Sequence, residues 1–363
     1  MITVFGATGF TGRLVAQALA RAELPFRLAG RSAEKLARFA ANLPGHPRWL
    51  VADAAQPATL PALFQDTNLL INLAGPFTDL GEKVIAQAAL KGVHYLDVSN
   101  ELGYVFRARA YHDMAVQSGA ALVPACGFEV ALSDCAAQLA GSRLLDGQPD
   151  ALLDEVDVVY HLNGRGASRG TRLSAVRSLA TSWIAYRDGV WTGQIPGARV
   201  RRFSWPGASH HALSFPSCES VTIPAHLPVQ RVDVWMANIR AARFWAPVAI
   251  PAFSRLSRSI LRDLFLMMAA QGVLPTAGAL NGGLDGDSPF TIYVQARRAA
   301  ARSWMTLQGQ DPYGLTAEIL AYAARRLTAP DFHTGGFLSP AQAFDPQEFL
   351  AYAGQQWGLK TQS

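Results

Sequence analysis

The sequence is poor in cysteine, in lysine and in charge. Cysteine occurs only as Cys126, Cys135 and Cys218, an odd number with no C-x-x-C spacing. That excludes a disulfide framework and the usual zinc and redox motifs, so no metal site is expected, and a cytoplasmic, reducing location is the default. Lysine is confined to Lys35, Lys83, Lys91 and Lys360. The residues four positions before them are Arg31, Asp79, Gln87 and Gln356. None is tyrosine, which excludes the Tyr-x-x-x-Lys proton relay of short-chain dehydrogenases in its usual form. Charged residues make up 16% of the chain, and the net charge of +5 is scattered rather than gathered into a basic run, so no nucleic-acid partner is expected. The opening residues, Met1-Ile2-Thr3-Val4-Phe5-Gly6, lack the basic and apolar regions of a signal peptide.

Apolar residues are plentiful instead. They form 50% of 363 residues, enough for a packed globular protein and more than one core usually holds. Up to about residue 130, short β-rich runs alternate with helical patterns. Strands are predicted at Ile2–Phe5, Phe26–Ala29, Trp49–Val51, Leu69–Asn72, His94–Val98 and Ala121–Pro124. Helices are predicted at Gly12–Ala22, Ala33–Leu43, Thr59–Phe64, Gly81–Lys91 and Tyr104–Ser118. This is an α/β class, a Rossmann-type doubly wound parallel sheet. After Cys126 the rhythm loosens, with β-like runs at Glu155–His161, Phe290–Arg297 and Trp304–Gln308 and helices at Tyr313–Leu327 and Pro346–Trp357. The division expected is 1–130 for nucleotide binding and 131–310 for a second α/β (α+β) domain serving substrate or dimerisation. A C-terminal segment, 311–363, is expected to return to the first domain. One stretch, Phe244–Leu274, pairs apolar runs with Arg255, Arg258 and Arg262. Prolines and arginines interrupt it too often for a bilayer span; contact with a membrane surface, a homodimer interface and the wall of a substrate channel all fit it.

The chemistry concentrates at the strand ends. Gly6-Ala7-Thr8-Gly9-Phe10-Thr11-Gly12 lies directly after one strand and before one helix, where glycines admit a pyrophosphate and the helix start offers unpaired N–H groups. The second strand ends Ala29-Gly30-Arg31-Ser32 without the acid that usually holds the ribose of NAD. Arg31 and Ser32 instead suit a 2′-phosphate, so the expected cofactor is NADP(H). Asp53 fits either an adenine-edge contact or a helix cap. Asn72, Gly75, Pro76 and Phe77 end the fourth strand, and Cys126 and Gly127 follow the sixth; all are placed toward the nicotinamide half. Cys126 has no local His or Lys to make it a thiolate, so it is read as packing. Asp97, Ser99, Glu101 and Tyr104, after the fifth strand, are the candidate polarising or proton-donating groups, with local capping as the competing role for Asp97 and Ser99.

Together these segments resemble the saccharopine dehydrogenase-like oxidoreductases, in particular the trans-acting enoyl reductase branch. The resemblance extends to Gly166–Ser174, to Gly309–Ala317 and to Gly335–Ala341, and is weakest between about 185 and 285. It implies a Rossmann domain, an α/β second domain and a returning C-terminal segment. It also implies hydride delivery from NADPH to an activated C=C bond of a small-molecule, lipid-like or polyketide-like acyl substrate. Two alternatives stay open: a C=N reductase of saccharopine type, for which Arg165, Arg169, Arg172 and Arg177 are available, and a non-catalytic NADP sensor.

Overall fold

The structure, a computed structural model, describes residues 1–145, 148, 150–162, 183–194, 199–206, 208–237 and 288–363. Gly166–Ser174, the four arginines between 165 and 177, and Phe244–Leu274 therefore lie outside the described residues. The chain forms two compact units, Met1–Ala131 with Tyr313–Asp345, and Leu132–Pro312 with Pro346–Ser363. Among the described residues no helix is long and apolar enough to cross a membrane.

The first unit is built in chain order from β1 (Ile2–Phe5), α1 (Phe10–Arg21), β2 (Phe26–Gly30), α2 (Ala33–Ala41), β3 (Trp49–Val51), β4 (Leu69–Asn72), α3 (Phe77–Lys91), β5 (His94–Asp97), α4 (Leu102–Ala108), α5 (His112–Ser118) and β6 (Ala121–Val123). Its sheet runs β3-β2-β1-β4-β5-β6 with every pair parallel. β1, β4 and β6 are buried along their whole length, as strands covered on both faces must be, whereas edge strand β3 is largely open. Strand order reverses beside β1, and a sheet of this kind opens its ligand crevice there, beyond the carboxyl ends.

Two helical expectations change. The predicted helix Tyr104–Ser118 is broken into α4 and α5 by a 3-10 turn at Arg109–Tyr111. Thr59–Phe64 lies within a 3-10 helix, Pro57–Phe64, where Pro61 supplies no N–H for a longer α-helical ladder.

The stretch expected to return as one piece divides. Tyr313–Asp345 joins the first unit, where Gly336–Phe337 pairs parallel with β6 and adds a seventh strand. Pro346–Ser363 joins the second unit, where Lys360–Gln362 pairs with Thr306–Gln308.

Among the described residues that second unit holds a nine-stranded mixed sheet. Its centre is β7 (Glu155–Leu162), paired parallel with Arg231–Ala237 and antiparallel with Phe290–Arg298. A hairpin of Trp183–Arg187 and Val190–Gln194, and the strands Val200–Trp205 and Ala208–Ser214, complete one side. Buried acids are neutralised across strands, Asp157 by Arg201, Glu155 by Arg201 and Arg297, and Asp233 by Arg187 and Arg199.

Close packing, joined at Gly6 by a left-handed backbone, explains two glycines of the first loop. Gly6 has φ +83°, and a Cβ on it would lie 2.7 Å from the carbonyl carbon of Leu73 in the turn after β4. A Cβ on Gly12 would lie 2.3 Å from the Gly6 carbonyl oxygen. Alanine in a helix normally gains about 1 kcal/mol over glycine, yet overpacking costs about 1–3 kcal/mol and here meets backbone that cannot step aside. Gly12→Ala is therefore expected to lower stability by about 1–2 kcal/mol net, read as a lower thermal midpoint. A raised midpoint would show that the turn yields.

Candidate nucleotide site

A cavity of about 740 Å³ opens beyond the carboxyl ends of β1 to β4. The glycine loop supplies Gly6, Thr8 and Gly9 to its wall, the end of β2 supplies Arg31 and Ser32, and Asp53 and Gly75 come from the ends of β3 and β4. These seven predicted residues thus meet at one place. Helix α1 begins at Phe10 with Gly9 as its cap residue and no side-chain cap, so its first-turn N–H groups point to water or to a ligand. Arg31 has no ion-pair partner among the described residues, and no carboxylate ends β2. Ser32 also has a local duty, its hydroxyl accepting from the Lys35 N–H to cap α2. Asp53 accepts from the Ala55 N–H at 3.0 Å in a local turn and does not cap the 3-10 helix that follows, whose cap residue is Gln56.

Phe10, Thr11, Gly12, Asn72, Pro76, Phe77, Cys126 and Gly127 are not on this wall. Several of them shape it from behind. Asn72 is fully buried; its amide donates to the Tyr95 hydroxyl and its carbonyl oxygen accepts from the Ala74 N–H, fixing a turn that does line the cavity. Phe10 is 58% exposed and meets Tyr313 edge to face at 4.9 Å. The peptide Gly75–Pro76 is cis. Cys126 is buried and donates its backbone N–H to the Asp97 carbonyl oxygen at 2.7 Å.

Sequence reasoning missed further cavity residues. Arg13 and Gln17 lie one turn apart on α1, and Lys35, Arg38 and Asn42 follow one face of α2 and its end. Their i, i+3 and i+4 spacing was the available signal.

The four residues expected to polarise or donate protons are enclosed. Asp97 is fully buried and accepts four hydrogen bonds. One oxygen takes the N–H groups of Ser99 and Ala125, both at 2.9 Å; the other takes the hydroxyls of Tyr95 at 2.9 Å and Tyr104 at 2.8 Å. Burial pushes its carboxyl up to about 6, although these same donors pull the other way. Burial, and then the charge of Asp97, holds both tyrosines well above the usual phenol range. Ala125 adopts φ +58°, unusual for a residue with a side chain, and the Asp97 carboxylate secures its N–H. Glu101 caps α3 from outside, its oxygens accepting from the N–H groups of Phe77 at 3.1 Å and Thr78 at 2.7 Å. The Ser99 hydroxyl accepts from the Glu101 N–H.

Residues 2–123 match the family described as saccharopine dehydrogenase NADP binding domain. Over that stretch the chain is similar to the NADP-binding domains of the family. The uncapped start of α1, the acid-free end of β2 and the cationic cavity all fit NADP(H) as the cofactor. A trans-acting enoyl reductase of Mycobacterium leprae is 33% identical over 187 residues, 50% of this chain and 45% of its own length. Its namesake from Mycobacterium ulcerans is 34% identical over 195 residues, 51% and 47% of the two chains. The chain thus spans about half the length of the curated relatives it matches. Among solved structures, apo saccharopine dehydrogenase (L-Glu forming) from Saccharomyces cerevisiae covers 99% of both chains with a TM-score of 0.61 at 13% identity, a likeness of fold alone.

The raised carboxyl of Asp97 has a consequence for stability. An unfolded aspartate releases its proton near 3.8, whereas the folded one holds it to about 6. Between those values the native state binds the extra proton, so this group's contribution falls as pH rises and stays low above 6. Asp97→Asn removes that titration. The unfolding free energy of the wild type minus that of the variant should drop by roughly 3 kcal/mol between pH 3 and pH 7. A pH-independent difference would show that Asp97 is not so perturbed.

Proposed function

We propose that the protein is an NADP(H)-dependent oxidoreductase that delivers hydride to an activated double bond, the C=C of an enoyl or related acyl substrate. The observation that carries the reading is the single cavity that joins the glycine loop, the acid-free end of β2 and the turn after β4 within an NADP-binding domain. The names of the relatives support the choice of C=C; they are the names of whole proteins, of which this chain matches about half.

Bound NADPH supplies a hydride from its nicotinamide ring. The chain supplies grip and orientation. The start of α1 and the loop Gly6, Thr8 and Gly9 hold the pyrophosphate. Arg31 holds the 2′-phosphate beside Ser32, and Asp53 borders the adenosine end. Gly75, on the turn braced by Asn72, offers backbone at the opposite end of the groove.

Asp97, Ser99, Glu101 and Tyr104 are reassigned from proton transfer to positioning. Their polar atoms are committed to backbone N–H groups and to one another, and none is more than 4% exposed. Asp97 ties the end of β5 to the turn after β6, and Glu101 ties the segment after β5 to the start of α3. Between them they hold three strand-end turns in fixed register.

Oxidation of NADPH by the purified chain, followed by absorbance with enoyl thioesters, cyclic imines and ketones in turn, tests the proposal. Turnover is expected with enoyl thioesters. Turnover with imines alone would overturn the C=C assignment in favour of C=N reduction, and saturable NADPH binding without turnover on any substrate would make the protein a nucleotide sensor.

A further inference from the structure

The cavity carries more positive charge than Arg31 alone. Arg13, Lys35 and Arg38 line it as well, on α1 and α2. They differ in how they are held. Arg38 is matched by Glu34 one turn earlier, at 2.6 Å, in an exposed pair. Lys35 stands on a flexible stem whose ordering would oppose binding. Arg13 is held at two points: its Nε donates to the Thr8 carbonyl oxygen at 3.3 Å, and its guanidinium lies over the Phe39 ring, 5.5 Å from the centroid. It therefore spans the glycine loop and α2, both of which line the cavity. Its two Nη groups have no hydrogen-bond partner and no ion pair among the described residues.

We propose that Arg13 is a specificity-determining residue, a preorganised cation that joins Arg31 in receiving the adenosine 2′-phosphate and so separates NADP from NAD. The inference rests on the NADP(H) reading above and goes beyond it by naming a second phosphate ligand on a different element. A planar guanidinium whose Nε and ring face are already engaged loses little freedom when its Nη groups take up a phosphate. NAD carries a hydroxyl at that position, so the interaction is absent from NADH binding. A purely structural Arg13, fastening Thr8 to α2, would support both cofactors equally.

The test is the dissociation constant of NADPH and of NADH, each measured by cofactor fluorescence for the wild-type chain and for Arg13→Met, Arg13→Lys and Arg107→Met. Arg13→Met is expected to weaken NADPH by about 10- to 100-fold while NADH changes less than about twofold. Arg13→Lys, which keeps the charge and loses the fork, should fall between wild type and Arg13→Met. Arg107→Met, which removes an exposed arginine paired with Glu82 away from this cavity, should move NADPH by less than about twofold. Equal weakening of both cofactors, or unchanged NADPH affinity, would overturn the assignment while leaving the NADP(H) reading intact. A wild-type chain that prefers NADH would overturn both.

Discussion

The first unit depends on one steric constraint, the absence of any side chain where the turn after β1 meets the turn after β4 and the start of α1. Gly6 lies against Leu73, and Gly12 lies against Gly6. Because these backbones touch, the helix start, the glycine loop and the turn at Ala74 are brought to one rim of the sheet. Everything proposed for cofactor binding follows from that rim. The cavity is what remains between turns that cannot be pushed apart by side chains they do not have. Hydrogen bonding then completes what sterics begin, with Asn72 fixing the Ala74 turn and Asp97 fixing the turn at Ala125.

The polar cluster behind the rim shows how proximity to a site differs from participation in its chemistry. Asp97 has the features often associated with catalysis, a carboxyl group at a strand end, buried and titrating high. Its four accepted hydrogen bonds assign it another task. A residue with φ +58° and a bend after β5 are both kept in place by the same carboxylate. Structural networks perturb titration as strongly as catalytic ones do, and the distinction lies in where the lone pairs go.

Much of the first unit was legible in the sequence because its signals are local. Apolar runs of strand length, separated by helical periodicity, placed β1 to β6 to within about two residues, and the glycine loop marked the rim. The local turn that Asp97 makes with Ser99 was open to the sequence as a cap, but the ties of Asp97 to Ala125 and of Glu101 to Phe77 were not legible, since those N–H groups lie far away in sequence. Arg13, Lys35 and Arg38 could have been found from their spacing on two helices, but only after α1 and α2 were known to flank one cavity. In the second unit the strands between Trp183 and Ser214 escaped notice for a physical reason. Arg187, Arg199 and Arg201 interrupt the apolar alternation that marks a strand, and the acids that make them tolerable, Asp233, Asp157 and Glu155, lie on other strands.

The division of the C-terminal stretch makes each unit discontinuous along the chain. During synthesis, β6 emerges early, yet the strand that pairs with it, Gly336–Phe337, follows only after β7 and most of the second sheet have been made. Until then β6 is an open parallel edge with unpaired amide and carbonyl groups, the kind of surface that invites mispairing and recognition by chaperones. Neither unit can be excised as one uninterrupted fragment, because a cut at either boundary removes a strand from a sheet it completes.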